Sequence, residues 1–81
     1  MRLDKYLKVS RLIKRRTIAN EACDSERVMV NGREAKASYQ VKIGDVIEIT
    51  FGNRRLCVEV TDISENVKKE EAAAMYRQIQ I

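Results

Sequence analysis

Two short helices are predicted near the start of the chain from the spacing of its apolar residues. A helix over about residues 2–9 follows from apolar positions at i, i+3 and i+4, which are Leu3, Tyr6 and Leu7. A second helix is predicted over about residues 14–25, with an apolar stripe made of Ile18, Ala19, Ala22 and Cys23. Leu12 and Ile13 lie between them, and we expect this pair to fold the connection onto a core.

The middle of the chain has the alternation and turn residues of antiparallel strands. Residues 28–30 form an apolar run before Asn31-Gly32, a strong hairpin signal. Residues 33–39 are polar and basic, which is typical of an irregular surface segment. Residues 46–51 and 56–63 alternate between apolar and polar positions around a Gly52-Asn53 turn. They predict a second antiparallel hairpin.

A terminal helix is predicted over about residues 68–79, because alanines follow a polar start there. No internal repeat or linker is evident. The fold class is therefore α+β: one small domain in which an N-terminal helix pair packs on a small antiparallel sheet, plus a C-terminal helix. We assign residues 1–63 to the main domain and residues 64–81 to a helical extension of it.

The charge of the chain is concentrated at its beginning. The 81 residues carry 16 basic and 12 acidic side chains, a net charge of +4, yet residues 1–16 hold seven basic residues and one acid, a net charge of +6. The basic residues there are Arg2, Lys5, Lys8, Arg11, Lys14, Arg15 and Arg16. Segregation of this kind favours a basic face for a polyanion, although a solvated surface is the alternative.

The composition argues against several classes of protein. Histidine is absent, and the three glycines are isolated, so neither a familiar nucleophile and base nor a phosphate-binding glycine loop is recognisable. We expect no enzyme activity, cofactor or metal. Cys23 and Cys57 have no CxxC spacing and are expected to be reduced thiols. The chain lacks an apolar run long enough for a membrane span, so we expect a soluble, cytoplasmic protein.

The basic helix pair is the candidate binding site. If its cations gathered around a concave surface and met about four to six phosphates, log affinity would fall with log salt at a slope of roughly −3 to −5. Only four aromatic residues are present, and Tyr6 lies on the apolar stripe of the first helix, where we expect it in the core. Structured RNA recognised by its shape and phosphates is therefore favoured over a single strand read base by base.

Three short motifs resemble the S4-type RNA-binding domain. They are RLDK at residues 2–5, VMVNG at residues 28–32 and VKIGDVI at residues 41–47, with a basic turn at Arg16 between the first two. The resemblance covers about residues 1–51. The start of the chain and KKEEAAAMY at residues 68–76 further resemble the stand-alone RqcP (YabO) family, which extends the likeness to nearly the whole chain.

The resemblance implies a cytoplasmic, ribosome-associated factor of bacterial quality control without catalysis of its own. Members of that family bind stalled large ribosomal subunits through 23S rRNA and peptidyl-tRNA, and assist RqcH in adding C-terminal alanine tails. We expect a monomer. An alternative within the superfamily is the heat-shock-type S4 protein that recycles obstructed large subunits.

The resemblance also implies roles for individual residues. Arg2 and Arg16 match the family's basic contacts, Lys36 is an outer candidate, and Asp4 is expected to orient a neighbouring arginine. The resulting RNA-binding set is Arg2, Lys5, Lys8, Arg11, Lys14, Arg15, Arg16 and Lys36.

Two positions depart from the family's pattern. Glu26 stands where a glycine usually ends the second helix, and Ile43 replaces a common proline. We expect Glu26 to force a different helix termination, because a left-handed backbone costs a residue with a Cβ about 1 kcal/mol.

Overall fold

The computed structural model describes residues 1–65 and 67–79, which form two α-helices, a five-stranded antiparallel sheet and one 3₁₀ helix. The helices are α1 (Leu3–Val9), α2 (Arg16–Asp24) and the 3₁₀ helix η1 (Lys69–Met75). The strands are β1 (Val28–Val30), β2 (Arg33–Glu34), β3 (Val46–Phe51), β4 (Arg54–Val60) and β5 (Tyr76–Ile79). The sheet order is β2-β1-β3-β4-β5. The predicted α+β class is confirmed.

The core lies between the helix pair and one face of the sheet. The fully buried side chains of α1 meet the inward residues of β3 and β4 in a single cluster; they include Leu3, Tyr6, Leu7, Ile47, Ile49, Val58 and Val60. The predicted core position of Tyr6 is confirmed, and its hydroxyl donates a hydrogen bond of 2.7 Å to the Met75 carbonyl oxygen. Ile13 is buried as expected.

The prediction that Ile18 belongs to the buried stripe of α2 is wrong. Ala19, Ala22 and Cys23 are buried, but the Ile18 side chain is 49% exposed and lies beside the half-exposed Phe51. The buried stripe of α2 is therefore narrower than the sequence indicates and consists of Ala19, Ala22 and Cys23.

The Asn31-Gly32 hairpin forms as predicted. Both residues have positive φ, +54° and +80°, as a two-residue type I′ turn requires. The Asn31 side chain donates to the Asp45 carboxylate at 3.0 Å, and Asp45 also accepts from the Tyr39 hydroxyl at 2.8 Å and the Lys42 amide at 2.9 Å. These bonds tie the hairpin to the start of β3.

The predicted terminal helix is wrong for its last residues. Lys69–Met75 is helical, although as a 3₁₀ helix, but Tyr76–Ile79 is strand β5, which pairs antiparallel with β4. Residues 80 and 81 lie outside the described residues. A short isolated helix is marginal in water, whereas pairing with β4 covers a strand edge that would otherwise be open. The helical segment therefore ends at Met75, and the residues after it pair with β4.

The end of α2 contradicts the expected change in helix termination. Glu26 adopts φ +63°, the same left-handed conformation that glycine would supply. Its amide donates to the Cys23 carbonyl at 3.2 Å, and the Arg27 amide donates to the Ala22 carbonyl at 3.0 Å, the two bonds of a Schellman motif. The hydrogen bonds and the packing of β1 hold the helix end, and Glu26 bears the strain.

We expect Glu26→Gly to raise the free energy of unfolding by about 1 kcal/mol. Glycine adopts the left-handed backbone without the penalty of roughly 1–2 kcal/mol that a Cβ brings, and loses part of this gain to its more flexible unfolded state. Urea unfolding measures the change. Glu26→Ala is the control, because it removes the carboxylate but retains the Cβ. An equal gain in both variants would mean that the cost comes from the negative charge near the C-terminal end of the helix and not from the backbone conformation.

Candidate nucleic-acid interface

A single buried carboxylate organises the start of both helices. The Asp4 side chain is 3% exposed and accepts hydrogen bonds from Arg2 Nε at 3.1 Å, Asn20 Nδ2 at 3.2 Å and the Lys5 amide at 2.8 Å. Arg16 Nε lies 3.5 Å from the other carboxylate oxygen. The expectation that Asp4 orients an arginine is confirmed, and it holds two of them.

The environment of Asp4 keeps it ionised. Burial by itself raises the pKa of this carboxyl, but hydrogen bonds from Asn20, Arg2 and the Lys5 amide, together with the charge of Arg16, lower it by more. The net effect is a pKa below the usual value, so the group is a carboxylate at neutral pH and holds both guanidinium groups.

Arg2 and Arg16 each keep half of their side chain in solvent. Their exposed fractions are 45% and 50%, so Asp4 fixes one edge of each guanidinium while other N–H groups stay available. Both line an open concavity of about 520 Å³, together with Asp4, Thr17, Asn20 and Glu21. Two oriented guanidinium groups at one concave surface suit a phosphate, which accepts bidentate bonds from arginine.

The other predicted binding residues do not share this concavity. Lys5 forms an ion pair of 3.2 Å with Glu65, Lys8 is half-buried, and Arg15 is exposed at the N-cap of α2. Arg11 and Lys14 line a separate groove. Lys36 is exposed on the loop after β2, next to Ala37, whose carbonyl accepts from the Asp4 amide. The basic segment is therefore divided between two surfaces.

Sequence reasoning missed Asn20 and Thr17. Asn20 follows Arg16 by four residues on α2, a spacing that places the two side chains on one helix face. This four-residue spacing between Arg16 and Asn20 was the signal available in the sequence. Only the fold shows that Asp4 of α1 contacts both side chains.

We expect Asp4→Asn to lower the free energy of unfolding at pH 7 by about 1–3 kcal/mol, because it leaves two arginines without their shared partner. Since the folded state lowers the pKa of Asp4, its contribution is present above the ordinary value of 3.8 and is lost as the pH falls below it. The difference between wild type and variant should therefore shrink in acid, as urea unfolding across pH would show.

Asp24→Asn is the matched control, since Asp24 is exposed and forms no ion pair within residues 1–65 and 67–79. It should change stability by less than about 0.5 kcal/mol at every pH. If the difference in free energy of unfolding between wild type and Asp4→Asn stays constant as the pH falls, the role assigned to the Asp4 charge is wrong.

Comparison with known proteins identifies the family of the chain. The S4 domain family model matches residues 1–47, which include α1, α2, the first hairpin and the start of β3. The chain is 57% identical over 76 residues to the RQC P-site tRNA stabilizing factor of Streptococcus pneumoniae, covering 94% of this chain and 86% of the relative. The factor of the same name from Bacillus subtilis is 55% identical, with 94% and 88% covered.

A second group of relatives is more distant in sequence. The heat shock protein 15 homolog of Haemophilus influenzae is 30% identical over 79 residues, covering 96% of this chain and 60% of that protein. The trimeric structure of Vibrio cholerae heat shock protein 15 superposes with a TM-score of 0.89 at 32% identity, covering 98% of this chain and 81% of that one. Together the family match, the high identity and the shared fold show that the chain belongs to the S4-domain family, and within it to the RQC P-site tRNA stabilizing factors.

Proposed function

We propose that the chain is a non-catalytic RNA-binding factor that holds phosphates between Arg2 and Arg16. The observation that carries this proposal is the Asp4 carboxylate, which orients two half-exposed guanidinium groups at one concave surface. The net charge of +6 over residues 1–16, which include both arginines, adds a general attraction for a polyanion. Binding and orientation require no cofactor.

The names of the relatives support a ribosomal role for this binding. Because the chain spans most of the length of factors named for stabilising P-site tRNA, we assign it to stalled large ribosomal subunits in the cytoplasm. It contacts 23S rRNA and peptidyl-tRNA there and stabilises the tRNA while RqcH adds C-terminal alanines. It acts as a monomer in this role.

A second candidate is the role of a heat-shock-type S4 protein that recycles obstructed large subunits. The observation that favours it is the TM-score of 0.89 with heat shock protein 15. We rank the recycling role second because the chain is 57% identical to a tRNA-stabilizing factor and 30% identical to the heat shock protein 15 homolog.

Arg16→Ala should weaken binding to purified large subunits that carry peptidyl-tRNA, and should make the salt dependence of log affinity less steep by about one. Arg16→Lys should recover only part of the affinity. A guanidinium can bind Asp4 with one edge and a phosphate with another, whereas a lysine ammonium has no second edge. Sedimentation with labelled protein at several salt concentrations measures both effects.

Arg54→Ala provides the matched control, because Arg54 is an exposed arginine of the β3–β4 hairpin and lies outside the basic segment. It should bind as the wild type does. Equal affinities of Arg16→Ala and wild type would overturn the site.

Pull-down of tagged protein from stressed cells tests the pathway. Large-subunit rRNA, tRNA and RqcH should co-purify with wild type and be lost with Arg16→Ala. Free tRNA without large subunits would overturn the pathway, and obstructed large subunits without RqcH would favour the recycling role.

A further inference from the structure

A second basic groove lies where the C-terminal segment meets the turn between the helices. Arg11 and Lys14 come from that turn and Lys69 from η1, and the groove has a volume of about 480 Å³. Ser10, Ala72, Ala73 and Tyr76 complete its lining. Lys69 and Tyr76 lie outside the segment that the S4 family model matches. The groove is therefore built jointly by the S4 domain and the segment that follows it.

The three cations of this groove are not used to stabilise the fold. Each is exposed, and none has a carboxylate within 4.0 Å among residues 1–65 and 67–79. Glu70 and Glu71 follow Lys69 in sequence but do not line the groove. Three like charges at one concave surface repel one another unless an anion binds between them.

The backbone at Arg11 supports the same conclusion. Arg11 ends α1 in the left-handed region, at φ +67°, where its amide donates to the Lys8 carbonyl at 3.1 Å. Glycine suits this position better, because a residue with a Cβ there costs roughly 1–2 kcal/mol. Arginine therefore occupies a position where the backbone conformation alone would favour glycine.

The floor of the groove is apolar and aromatic. Tyr76 is half-buried and packs against the core, and its backbone pairs with Val60 of β4, so the ring is held in place. Ala72 and Ala73, which also line the groove, have small apolar side chains. A ligand that fits must present anionic groups to the cations and a flat apolar face to the tyrosine.

We propose that this groove binds an unpaired nucleotide of RNA, with its phosphates at Arg11, Lys14 and Lys69 and its base against Tyr76. Bases stack on aromatic side chains with little dependence on sequence, and lysine and arginine neutralise the flanking phosphates. The groove rests on the proposed function of the chain as an RNA-binding factor, and extends the interface to the C-terminal segment. An acidic protein segment would match the cations but has no need of the aromatic floor.

Lys69→Gln should weaken binding to purified large subunits that carry peptidyl-tRNA by roughly three- to tenfold, and should reduce the salt slope by about 0.7 to 0.9, the value of one phosphate contact. Lys68→Gln is the control, because Lys68 is the adjacent exposed lysine, undergoes the same change of charge and does not line the groove. It should bind as the wild type does. Equal affinities of the two variants would overturn the groove.

Failure of this inference is distinguishable from failure of the proposed function. If Arg16→Ala loses binding while Lys69→Gln retains it, the function stands and the groove does not. If wild type itself does not bind the subunits, the function fails with the groove. If Lys69→Gln weakens only the association with RqcH, the groove binds protein and the nucleotide assignment is wrong.

Ultraviolet crosslinking tests the aromatic contact without relying on affinity. After irradiation of the complex and digestion of its RNA, mass spectrometry should find a nucleotide attached to Tyr76. Tyr76→Phe should bind as the wild type does, while Tyr76→Leu should bind more weakly even under conditions where circular dichroism shows that it is folded. Crosslinks confined to residues outside the groove, or full binding by a folded Tyr76→Leu variant, would overturn the stacking contact.

Discussion

The burial of the Asp4 carboxylate is the constraint on which the basic end of the molecule depends. A charge removed from water needs partners, and Asp4 finds them at the N-cap and in the backbone of α1 and in two side chains of α2. The same bonds fix the entry of α1 and its position against α2, and restrict the conformations of Arg2 and Arg16. Binding an anion there requires less loss of side-chain freedom than ordering two free arginines would.

The C-terminal segment completes the fold in a different way. The Met75 carbonyl accepts from the Tyr6 hydroxyl and from the amides of Thr61 and Asp62, so one oxygen joins α1, the end of β4 and η1. Strand β5 then extends the sheet beyond β4. The S4 portion and the segment after it thus share one core.

Local chemistry could be predicted from the sequence, and long-range pairing could not. The Asn31-Gly32 turn and the alternation of β3 depend on neighbouring residues, and both form as expected. The terminal strand and the exposure of Ile18 depend on what lies opposite each segment, which the periodicity of a single element does not encode. For the same reason the basic residues were recognised as a group, but their division between two surfaces and the contribution of Lys69 required the fold.

The hydrogen bond between Tyr6 and Met75 joins residues 69 positions apart in the chain, and this separation affects the order of synthesis and folding. While the chain is being translated, the Tyr6 hydroxyl has no native acceptor until Met75 has left the ribosome. Until then the Tyr6 hydroxyl bonds to water, and it exchanges that bond for the Met75 carbonyl when the C-terminal segment packs against α1. A product of interrupted synthesis that ends before Met75 therefore lacks the acceptor that joins α1 to the C-terminal segment.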